Sequence, residues 1–63
     1  MSSSLKAAFM HLKGLTQFNK NKEDIDAAIV YMDEALKIDP NFNLASLSKQ
    51  ALESRKAGTI TDE

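Results

Sequence analysis

The stretch Asp24 to Pro40, DIDAAIVYMDEALKIDP, sets the tightest limit on how this chain can fold. Its apolar residues Ile25, Ala28, Ile29, Met32 and Leu36 keep the spacing of one helical stripe, and Ala27, Val30, Tyr31, Ala35 and Ile38 widen that stripe onto both flanks. A surface this wide exceeds what one neighbouring helix covers. The segment is therefore expected to lie between two further helices, or between one helix and a partner chain. Glu23, Asp24 and Asp26 at its start and Lys37 in its last turn complement a helix dipole. Pro40 disfavours helical geometry at Asp39 and brings no backbone donor, so the helix should stop at about Ile38 or Asp39.

On its N-terminal side, Leu5, Ala8, Phe9, Leu12, Leu15 and Phe18 recur at helical spacing. They predict a first helix from Leu5 to about Asn19, behind a polar lead of residues 1–4 whose Ser4 can cap it. Gly14 inside this helix costs up to ~1 kcal/mol relative to alanine, which points to close helix contact; an exposed, slightly weakening glycine is the alternative. Asn19 to Lys22 reads as the loop of an antiparallel hairpin, with either Asn21 or Asp24 capping helix two. Asp39 to Asn43 forms a tight corner in which Phe42 can fold back on helix two and Asn43 can cap a third helix. That helix is expected from Leu44 to Ala57, with Leu44, Ala45, Leu47, Ser48, Ala51 and Leu52 on a narrow stripe. Arg55 and Lys56 close it, Gly58 is placed as a left-handed cap, and residues 59–63 are expected to be a flexible tail. The three helices make one all-α domain over residues 5–58.

The spacing Ala28-Ile29, Tyr31-Met32, Ala35-Leu36, Ile38-Asp39-Pro40-Asn41-Phe42 resembles the second helix of a tetratricopeptide repeat and its following turn. Lys13-Gly14 followed by Phe18 resembles the family's first helix. The likeness covers roughly Phe9 to Phe42, and the run from Asn19 to Asp24 is about two residues longer than the family's ~34-residue period would give. It implies an antiparallel helical hairpin like one such repeat, closed by a third helix that resembles the opening helix of a next repeat. It also implies helix-packing roles for Gly14, Phe18, Ala28, Met32, Ala35, Pro40 and Phe42. One subclass of the family grips a terminal carboxylate with a lysine and an asparagine. Those positions fall on His11 and Leu15 here, so that function is not expected.

At 63 residues the chain is one domain at most and buries only about 60% of its unfolded surface. It has no cysteine and hence no disulfide framework or thiolate metal site. Well-packed helices, self-association or a partner must supply the remaining stability, and a single repeat cannot cover its own apolar faces. Eight basic and nine acidic residues read as interspersed and give a net charge of -1, which favours neither nucleic acid nor a membrane surface. No apolar run spans a bilayer and no signal-peptide pattern opens the chain, so a cytoplasmic setting is expected.

Nothing in the sequence resembles a catalytic centre. His11 is the only histidine and has no acid within a helical turn, so it reads as a border residue of helix one rather than a metal ligand. Glu23, Asp24 and Asp26 lack the alternating oxygen ligands and central glycine of a calcium loop. No serine is placed as a nucleophile, and two isolated glycines form no phosphate loop. No cofactor, metal or small-molecule substrate is expected. Phe18, Met32 and Phe42 are assigned to the core, and Phe9, Met10 and Tyr31 to a protein interface. The expected function is a non-catalytic interaction module, a small adaptor that self-associates as a homo-oligomer or docks on another protein through exposed apolar faces of helices one and two. A small accessory subunit of a larger assembly, such as a virion or multi-subunit complex, and a small protein inhibitor are the alternatives.

Overall fold

The computed structural model describes residues 2–58, which form three helices: α1 (Ser2–Lys20), α2 (Ile25–Ile38) and α3 (Asn43–Gly58). There is no strand among the described residues. α2 is the middle element, packed against both α1 and α3, with little direct contact between α1 and α3. The wide apolar surface of the 24–40 stretch thus meets the two neighbours it requires.

Two clusters hold the helices together. Ala7, Ala35 and Ala45 meet where the start of α1, the end of α2 and the start of α3 converge, with Met10, Leu36, Ile38 and Phe42 packed around them. Ala28, Met32 and Leu52 form the second, flanked by Phe18, Ile25 and Ile29. This pairing of early α1 with late α2 makes the hairpin antiparallel. Gly14 lies at the crossing between the clusters, and a Cβ there would stand 2.7 Å from Met32 Cε, 3.0 Å from Tyr31 Cβ and 3.2 Å from the Ala28 carbonyl. Close contact is why the glycine is tolerated within a helix. Among the described residues alanines form most of the core, and Met32 is the largest side chain that is fully buried.

The helix ends follow local chemistry. Asp24 holds the N-cap position of α2 without a side-chain cap bond. Its carboxylate instead accepts from Gln17 Nε2 at 2.7 Å, tying the loop to α1, while Asn21 Oδ1 accepts the Glu23 N–H at 3.1 Å. Before Pro40, Asp39 is extended at φ -138 and ψ 92 and its N–H closes on the Ala35 carbonyl at 2.9 Å. The Asp39 carboxylate then accepts the Asn41 N–H at 3.2 Å, which fixes the corner.

Several boundaries differ from the sequence reading. α1 begins at Ser2, so Ser4 is an interior residue and residues 2–4 of the polar lead are helical. Serine is only mildly unfavourable in a helix, and nothing in this lead terminates one. α3 begins at Asn43, with the Phe42 carbonyl accepting its first bond from the Ser46 N–H at 3.2 Å. Gly58 is helical rather than a left-handed cap. Residues 59–63, read as a tail, lie outside the described residues.

Candidate interaction surface

Helix α1 turns its small residues inward. Ala7 and Gly14, seven apart and so on one face, are buried against the hairpin, and the close crossing at Gly14 admits nothing larger there. The large residues of the predicted stripe consequently point out: Leu5 is 74% exposed, Phe9 58% and Leu12 57%. The stripe was legible in the sequence, but its direction is opposite to a core role. Among its members Ala8 and Leu15 are exposed too, and only Phe18 is half-buried.

Helix α3 divides its stripe in the same way. Ala45 and Leu52 are buried, whereas Leu44 and Leu47 remain 59% and 60% exposed. Ser48 reaches α1, where its Oγ lies 2.9 Å from His11 Nε2, and the His11 ring stands edge-on to Phe42 at 5.5 Å. His11 is therefore a tie between the outer helices, a role that sequence spacing alone does not disclose. It also fixes a shared surface. Ala8, Leu12 and Leu15 stand three before, one after and four after His11, and Leu44, Leu47 and Ala51 stand at the mirrored offsets from Ser48, four before, one before and three after. The parallel helices α1 and α3 thus place two exposed apolar rows on either side of one hydrogen bond.

Charge is not spread evenly around this surface. Residues 1–22 hold four lysines and no acid, and all nine acids follow from Glu23 onward, which corrects the interspersed reading. The acids on α2 are engaged locally: Asp33 pairs with Lys49 at 2.6 Å, Asp26 with Lys56, and Glu34 with Lys37 at 3.7 Å. The Asp33 hydrogen bond and charge hold the Lys49 ammonium above its ordinary range. Lys6, Lys13 and Lys20 make no ion pair among the described residues. Lys13 instead stands 5.5 Å from the Phe9 ring centre and 5.6 Å from that of Tyr31. A shallow depression of about 280 Å³ runs there between α1 and α2, lined by Phe9, Leu12, Lys13, Thr16, Gln17, Lys20 and Tyr31.

Of the residues assigned to an interface, Phe9 lies in the middle of this face and Tyr31 is half-buried at its edge. Met10 is half-buried and packs against the Ala7, Ala35 and Ala45 cluster, on the inner side of α1. Among the packing residues, Gly14, Ala28, Met32 and Ala35 are buried, and Phe18 and Phe42 are half-buried around the two clusters. Lys22 and Arg55 stand over the Phe18 ring at 5.3 and 5.4 Å. Pro40 is exposed and acts through the backbone.

Among the described residues no group of three histidine, cysteine or acidic side chains is placed to hold a metal ion. No helix there is long and apolar enough to cross a membrane. Comparison with protein-family models, with curated proteins and with solved structures gives no match.

Proposed function

We propose that this chain is a non-catalytic, cytoplasmic protein-interaction module, a small adaptor built like one tetratricopeptide repeat with a capping helix. The observation that carries the reading is the inversion of size: alanines fill the core while Leu5, Phe9, Leu12, Leu44 and Leu47 face outward. Exposed apolar rows of this kind on a small domain mark a surface that another chain covers. The close approach at Gly14, the buried Ala28 and Ala35 and the stop before Pro40 support the repeat-like reading. On that reading α1 and α3 are the opening helices of successive repeats, whose shared face forms the family's binding groove.

Either a second copy or a foreign protein can provide the cover, and burial of about 800 Å² per partner would add to a core this small. Sedimentation across a concentration series, with helicity followed at the same concentrations, separates the two. Mass and helicity rising together identify self-association, whereas a helical monomer throughout assigns the surface to another protein. Changing Leu5, Phe9 and Leu12 to serine should leave stability within about 0.5 kcal/mol per site and abolish association. Association that survives the triple change overturns the assignment of this face. The same exposed area would also suit an accessory subunit of a larger assembly.

A further inference from the structure

We infer that the outward face of α1 docks an acidic amphipathic helix of a foreign partner protein, an inference that rests on the interaction-module reading. The argument begins with register. Taking Phe9 and Thr16 as a and Leu5 and Leu12 as d gives a heptad seam of about three turns, and in that register Lys6, Lys13 and Lys20 all occupy e. The f positions, farthest from such a seam, are Ala7 and Gly14, which among the described side chains of α1 are the two that the hairpin buries. The seam is therefore aimed directly away from α2.

The two edges of the seam differ. One is the lysine row, with no acid on its own helix and no ion-pair partner among the described residues. The other is apolar, with Ala8 and Leu15 at g and α3 beyond them. A helix lying along the seam would bury its apolar stripe on Leu5, Phe9 and Leu12 and bring carboxylates at seven-residue spacing against the lysines. Self-pairing of this face is poorly matched. Antiparallel copies set lysine against lysine, and parallel copies set lysine against Ala8 and Leu15. An anionic bilayer would meet cations on one edge only, because the other edge is occupied by Leu15 and α3, whereas in-plane membrane helices present a broad basic face.

The test uses the whole chain and a labelled helical peptide of about three heptads, with leucine at a and d and glutamate at e and g. A twin peptide carries lysine in place of glutamate. Anisotropy titration should show the glutamate peptide binding at least ~10-fold more tightly than its twin, with the difference shrinking as salt is raised. The exposed triple change Lys6→Glu, Lys13→Glu and Lys20→Glu, with helicity checked, should reverse that preference. Equal affinity for both peptides, lost on Phe9→Ser, would overturn the acidic partner while leaving the docking face intact. Binding to phosphatidylserine vesicles with neither peptide bound would overturn a protein partner. No binding of peptide or vesicle and no self-association would overturn the docking face itself.

Discussion

The size of single side chains decides which way α1 faces. At Gly14 an added methyl group meets Met32 Cε, which can swing aside, and the Tyr31 Cβ and Ala28 carbonyl, which cannot move without their helix. Gly14→Ala should therefore lower stability by about 1 kcal/mol, even though alanine is intrinsically better in a helix by a similar amount. Ala28→Leu should cost ~1–3 kcal/mol or more, since that site is fully buried at the same crossing. Urea unfolding midpoints check both, and a Gly14→Ala variant more stable than the parent would remove the close crossing. The contact at Gly14 could be read from the sequence because glycine inside a helix needs a reason. Phe9 could be placed at an interface from the sequence, but the exposure of Leu5 and Leu12 beside it could not be read, because periodicity shows that apolar residues share a face and not what that face meets. The inward alanine and glycine, seven residues apart, were the available clue.

Between elements, α2 is held to its two neighbours by different means. Against α1 it relies on small residues packed closely, and against α3 it adds ion pairs along the outer edge, Asp33 with Lys49 and Asp26 with Lys56. The raised pKa of Lys49 gives this second contact a pH dependence. Its ammonium stays charged beyond the unfolded value of 10.5, so the contribution is complete below that pH and is lost as pH rises through the higher folded value. Thermal melts of the parent should therefore fall relative to a Lys49→Met variant only in strongly alkaline buffer, and coincident pH profiles would rule the pair out as a tie. Helix identities and the stop at Pro40 were legible, because proline and stripe spacing act locally. The outer ends of α1 and α3 were not, since Ser2–Ser4 and Gly58 carry signals compatible with either helix or cap. The His11 to Ser48 tie joins residues 37 positions apart and has no local signature.

For the whole molecule, an alanine core and exposed leucines make a thin, extended body, 44 × 21 × 12 Å along its principal axes. Its accessible surface of 4430 Å² exceeds the roughly 4,000 Å² that size scaling gives for a compact monomer of this mass. Calorimetry of the isolated chain should show a broad transition near 60 °C or below, with an unfolding enthalpy of about 40 kcal/mol. A bound partner helix should move it upward in proportion to the logarithm of partner concentration. A sharp transition above 90 °C would mean that the three helices need no cover. The three-helix architecture was legible at this scale, while the concentration of lysine on one side was hidden in a nearly balanced total. Lys13 between the rings of Phe9 and Tyr31 has a practical consequence as well. Tyr31 is the chain's one tyrosine and there is no tryptophan, so its emission is a built-in optical probe at the rim of α1, able to report an arriving chain without any attached dye.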